Sequence, residues 1–87
     1  MPSEFIRLYL IEDDPTILRF VEQTLLGRPQ WRLVGHSDTL AHAKLVAPFS
    51  LADVFLIDLG LPDGRGEEML RTLSIARPDA ELLVFTV

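Results

Sequence analysis

Apolar positions along the chain follow two spacings that take turns. Ile6, Leu8, Leu10 and Ile11 form a short apolar stretch that predicts a strand from Ile6 to Ile11, ending abruptly at Glu12-Asp13-Asp14. The spacing then becomes helical: Ile17, Leu18, Val21 and Leu25 share one stripe. Asp14 suits the N-cap, Pro15 the first helical position, and Gly27 with Pro29 closes a helix running from Pro15 to about Leu26. Trp31 to Gly35 predicts a second strand. Ser37 or Asp38 is the expected cap of a second helix, which passes through Leu40, Ala43 and Ala47 and ends before Pro48. Val54 to Ile57 is apolar on both faces, as a central parallel strand covered on both sides must be. It ends at Asp58. After the turn Gly60-Leu61-Pro62-Asp63-Gly64, residues Met69, Leu70, Leu73 and Ala76 mark a third helix that Pro78 stops, and Leu82 to Val87 predicts a fourth strand.

Strands alternating with helices imply right-handed crossovers and a parallel sheet of the α/β class. In such sheets ligands sit outside the carboxyl ends of the strands, where strand order reverses. The chemistry is therefore expected at Glu12 to Asp14, at Asp58 and at Thr86.

Length and composition narrow the class. The chain has 87 residues, enough for one small domain. It has no Cys, so neither disulfides nor thiolate metal sites support its core. Eight basic residues against 13 acidic give a net charge of -5, which argues against a direct grip on nucleic acid or on an anionic membrane. The longest apolar runs are far below the roughly 20 residues that span a bilayer, and no basic-then-apolar leader opens the chain. A soluble, cytoplasmic domain is expected. Without Glu12, Asp13, Asp14 and Asp58 the balance is only -1, so the acidity is largely a local property of two strand ends.

If the first and third strands are neighbours, their carboxylates converge and repel unless a cation or a proton relieves them. Oxygen-only ligands favour Mg²⁺, which binds one or two carboxylates together with a phosphate oxygen. A carboxylate beside Mg²⁺ can also attack a phosphoryl group. Asp58 is the expected nucleophile, because it follows a rigid apolar strand and faces a Gly-containing loop, and the Thr86 hydroxyl could donate to a phosphoryl oxygen.

The segments Leu8-Tyr9-Leu10-Ile11-Glu12-Asp13-Asp14, Phe55-Leu56-Ile57-Asp58-Leu59-Gly60-Leu61-Pro62-Asp63-Gly64-Arg65-Gly66 and Leu83-Val84-Phe85-Thr86 resemble the receiver domain of two-component response regulators. The resemblance implies a flavodoxin-like, three-layer fold with strand order 2-1-3-4-5. It implies Asp58 as phosphoacceptor, Glu12 and Asp13 as the acidic pair holding Mg²⁺, the Gly60 carbonyl as a further ligand, and Thr86 as the switch hydroxyl. It also implies a sensor histidine kinase as phosphodonor and a role as a switch more than an enzyme. A DNA-binding output domain beyond these residues would make the protein a transcription regulator. Asp14 falls on a variable family position.

The family pattern continues with a fourth helix, a fifth strand carrying a Lys, and a fifth helix, so residues 1–87 are expected to be a truncated receiver. Weak Mg²⁺ binding, impaired phosphorylation and a homodimer through the fourth strand or an uncovered sheet face are the expected consequences. Lys44 lies on the second helix with no route to the site. Arg65 stands where the family usually has a small polar or acidic residue, and Val87 where the residue is often smaller; both could narrow access to Asp58.

Other readings are weaker. A dinucleotide loop around Gly64 and Gly66 meets Met69 at the third glycine position. A phosphohydrolase with an Asp nucleophile would have a second acid two residues on, where Gly60 stands. An interaction module without phosphotransfer would be indifferent to loss of Glu12 or Asp13. His36 and His42 fit surface or packing roles, Trp31 and Phe49 are expected over core edges, Asp63 fits the turn, and Glu67-Glu68 fits an acidic first helical turn.

Overall fold

The computed structural model describes residues 5–85; the expected switch residue Thr86 and its neighbour Val87 lie outside the described residues. The elements alternate as the sequence predicts: β1 (Ile6–Ile11), α1 (Pro15–Leu26), β2 (Trp31–Ser37), α2 (Leu40–Val46), a 3-10 turn (Ala47–Phe49), β3 (Val54–Asp58), the short strands β4 (Gly60–Leu61) and β5 (Gly64–Arg65), α3 (Glu67–Ala76) and β6 (Glu81–Phe85). The main sheet is parallel with order β2-β1-β3-β6, and β4 and β5 form a separate antiparallel hairpin. Placing β1 and β3 side by side in the middle brings their carboxyl ends together.

The two sheet faces are filled unequally. Tyr9, Ile11, Phe55 and Ile57 point to one face, where Leu40 and Ala43 of α2 and Met69 and Leu73 of α3 complete a buried core. Each of the Ile, Leu, Phe and Met side chains among them contributes about 1.5–3 kcal/mol by leaving water. Alternation sends Leu8, Leu10 and Val54 to the opposite face, which α1 covers in a right-handed crossover. The stripe of α1 faces inward as expected, but Ile17, Leu18, Val21 and Leu25 are only half-buried, and α1 has no fully buried residue.

Several local expectations are corrected. Strand β2 runs past Gly35 to Ser37, because Leu10 and Ile11 continue its pairing at His36 and Ser37. The register slips once: Leu8 pairs with Leu33 but Tyr9 with Gly35, leaving Val34 as the extra residue of a bulge. The bulge sets Gly35 against the Tyr9 ring, where a Cβ would stand 2.4 Å from a ring carbon. The cap of α2 is neither Ser37 nor Asp38. Thr39 holds that position and its hydroxyl accepts from the His42 N–H at 3.1 Å. Helix α2 ends at Val46, and Pro48 joins a 3-10 turn that leaves Phe49 83% exposed, not over the core.

The amino ends of the strands are tied by polar groups. The Asp53 carboxylate accepts from the Arg7 N–H at 2.8 Å and from its guanidinium at 3.3 Å. Arg77 donates to the Ser50 and Ala52 carbonyls and lies over the Phe55 ring.

Candidate functional site

Paired parallel strands decide where the acids meet. Ile11 is opposite Ile57, so Glu12 and Asp58 emerge from adjacent strands at the same edge. Both are buried, at 2% and 7% exposure, whereas Asp13 is exposed. One carboxylate oxygen from each of Glu12, Asp13 and Asp58 lies within 4.8 Å of the others. Carboxyl groups at that spacing can hold a hard divalent cation.

The hydrogen bonds sharpen this. Asp58 Oδ1 accepts from the Gly60 N–H at 2.9 Å, and Glu12 Oε1 from the Asp14 N–H at 2.9 Å. Glu12 Oε2 is buried with no hydrogen-bond partner. A buried carboxylate oxygen without a donor is costly, and a cation in the cleft would satisfy it. Burial pushes the Glu12 carboxyl up to about 7; the Asp14 N–H opposes the rise, and the Asp58 and Asp13 carboxylates add to it.

The cleft is lined by Glu12, Asp13, Asp14, Ile17, Asp58 and, from the β3–α3 segment, Leu59, Gly60, Arg65 and Glu67. Arg65 donates to Glu67 at 2.9 Å. Asp14 is occupied as the α1 cap, its Oδ1 accepting from the Thr16 N–H at 2.8 Å. Lys44 is away from the site, bound to Glu68 at 2.7 Å.

Five polar residues, in three arrangements, escape a reading by sequence spacing. Asp63 does more than fit its turn: its two oxygens accept from the Leu40 N–H at 2.6 Å and the Ala41 N–H at 2.9 Å, clamping the hairpin to the start of α2. The Ala41 and Leu40 amides hold its carboxyl below the usual range. His36 Nε2 lies 3.0 Å from the Glu12 carbonyl oxygen, bracing the acidic strand end from β2. Tyr9, Ser37 and His42 form a chain, with 2.5 Å between the two hydroxyls and 2.7 Å from Ser37 Oγ to His42 Nδ1. Burial raises the Tyr9 phenol above its ordinary value, and the Ser37 bond opposes that rise.

The packing around Asp58 is close. A Cβ at position 66 would stand 2.2 Å from the Asp58 carbonyl oxygen, so the residue opening α3 must be glycine for the hairpin to fold back on β3.

No family model matches the chain. Curated relatives do. The DNA-binding transcriptional activator DevR/DosR of Mycobacterium tuberculosis is 31% identical over 81 residues, 93% of this chain and 37% of that protein. The KDP operon transcriptional regulatory protein KdpE of Escherichia coli is 38% identical over 64 residues, 74% of this chain and 28% of that protein. The homologues of this chain are response regulators. The receiver domain of the E. coli stress response regulator RcsB superposes with a TM-score of 0.84 at 20% identity, covering 94% of this chain and 65% of that one. The MaeR response regulator bound to beryllium trifluoride superposes at 0.82 with 23% identity, covering 95% and 68%. The chain thus spans about a third of the curated response regulators it matches, and the described part carries the β2-β1-β3-β6 portion of a receiver sheet. Among the described residues, no helix is long and apolar enough to cross a membrane.

Proposed function

We propose that residues 1–87 form the phosphoacceptor part of a response-regulator receiver, a cytoplasmic switch in which Asp58 takes a phosphoryl group from the His of a sensor histidine kinase. The observation that carries this reading is the buried Glu12 carboxylate, with one oxygen unpartnered, gathered with Asp13 beside Asp58 at the ends of adjacent strands. Glu12, Asp13 and Asp58, with the Gly60 carbonyl, would hold Mg²⁺. When bound, Mg²⁺ offsets the crowded negative charge and draws in the phosphoryl oxygens.

An Asp58 carboxylate oxygen attacks phosphorus, the bond from phosphorus to the donor atom breaks, and the electron pair leaves with the donor. The donor nitrogen of a kinase His then takes up a proton; the leaving group of acetyl phosphate departs as acetate. The Gly60 N–H fixes the carboxylate for this attack. The charge of about -1.5 to -2 that a phosphoryl group adds would reset the Thr86 hydroxyl, on the strength of its sequence motif, and bias a surface read by an output domain. The names of the curated relatives support DNA-binding transcription control as that output, exercised outside these residues. The exposed strand β6 supports pairing with a second copy.

Incubation with labelled acetyl phosphate and Mg²⁺ tests the reading. Slow incorporation that Asp58→Asn abolishes is the expected result; incorporation that persists in Asp58→Asn, or a chain that takes no label, overturns it. Insensitivity to Glu12→Ala and Asp13→Ala would favour an interaction module instead.

A further inference from the structure

The cleft around Asp58 is lined by five carboxylate residues and one cation, Arg65. We propose that Arg65 is the anion-receiving group of this site, exchanging its Glu67 partner for the oxygens of the phosphoryl group or phosphodonor at Asp58; this rests on the phosphoacceptor reading above. Three observations support it. The backbone holds Arg65 close: Gly60 and Arg65 are opposite each other in the β4–β5 hairpin, Gly60 donates to Asp58 Oδ1, and Gly66 packs on the Asp58 carbonyl. The side chain is free to move, being 81% exposed and held by a single surface ion pair with Glu67. Such a pair is weak, so its exchange for a dianion costs little. Arg65 and Glu67 both line this cleft, and also the neighbouring hollow with Lys44 and Glu68, so the ion pair stands between the two.

Guanidinium suits the task because its planar fork binds two oxygens of one phosphoryl group, and a charge-assisted pair is about twice as strong as a neutral hydrogen bond. The acid-rich cleft would otherwise repel every phosphodonor that approaches.

The test uses beryllofluoride as a phosphoryl mimic, its binding with Mg²⁺ followed by fluorine NMR, and Mg²⁺ alone titrated by calorimetry. Arg65→Gln is expected to weaken beryllofluoride binding about tenfold. The same variant should bind Mg²⁺ alone at least as tightly as the parent, because a nearby positive charge is gone; a variant whose site had merely collapsed would lose both. Arg65→Lys should recover part of the loss, and Glu67→Gln, which releases Arg65, should strengthen beryllofluoride binding. Arg28→Gln, at the opposite end of the sheet, controls for net charge. Parent binding that Arg65→Gln leaves unchanged, or a parallel loss of Mg²⁺ affinity, overturns this proposal alone. A parent that does not bind beryllofluoride, or binds it equally well as Asp58→Asn, overturns the phosphoacceptor reading and this one with it.

Discussion

Gly66 and Asp58 meet backbone to backbone: the missing side chain at 66 is what allows α3 to start against the carbonyl of Asp58. Gly66 has φ -59° and ψ -23°, an ordinary helical conformation, so the requirement is space and not backbone freedom. Gly66→Ala is expected to cost about 1–3 kcal/mol through overpacking and to disturb Asp58. Urea unfolding checks it, and an unchanged midpoint would refute it. Gly60→Ala is the contrast, since its Cβ would meet only Asp58 Oδ1 at an ordinary 3.8 Å.

The unpartnered oxygen of Glu12 yields a metal-dependent stability. At neutral pH without divalent ions, Glu12→Gln should melt higher than the parent, because a buried carboxylate crowded by Asp58 and Asp13 becomes neutral. Mg²⁺ should raise the melting temperature of the parent and leave that of the variant nearly fixed. Equal Mg²⁺ responses in the two proteins would remove Glu12 from the site.

Acid should act through Asp63 and Asp53. Both have folded pKa values below the ordinary carboxylate value, Asp63 through the Ala41 and Leu40 amides and Asp53 through the Arg7 amide and then its guanidinium. Their contribution is complete above the unfolded pKa of about 4 and is lost as pH falls through the lower folded values. Melting temperature is therefore expected to drop below about pH 4, and Asp63→Asn, which cannot accept with two oxygens, should flatten part of that slope. Identical slopes would show that the clamp is energetically silent.

Strand β6 ends the described sheet with Leu83 51% and Val84 42% exposed. Such an edge pairs readily with another chain. Sedimentation at micromolar concentration should find a dimer, and Leu83→Lys should shift it toward monomer. A compact monomeric parent would contradict this.

Local signals made much of the molecule legible. The stop after Ile11 and the sequence Asp14-Pro15 delimit β1 and α1 at the residues observed, because cap and proline act within one turn. That Glu12, Asp13 and Asp58 meet follows from the strand ends that carry them together with the strand order that the family resemblance implied. What stayed hidden is long-range. The Asp63 clamp on α2 joins groups more than 20 residues apart, and no spacing rule announces it. The bulge at Val34 carries β2 on to Ser37 because β1 still offers partners there. Phe49 is expected over a core edge, but the 3-10 turn at Pro48 directs it to solvent.

The uneven filling of the two sheet faces sets the order in which the molecule opens. Helix α1 rests on half-buried contacts alone, whereas α2 and α3 lock onto side chains with no exposure at all. Among the helices, amide hydrogens of α1 are expected to exchange with solvent before those of α2 and α3, and those of β1 and β3 last of all. The helix that begins at the acidic cleft is thus the least anchored of the three helices, and a cation held by Glu12 and Asp13 would slow exchange along its first turn.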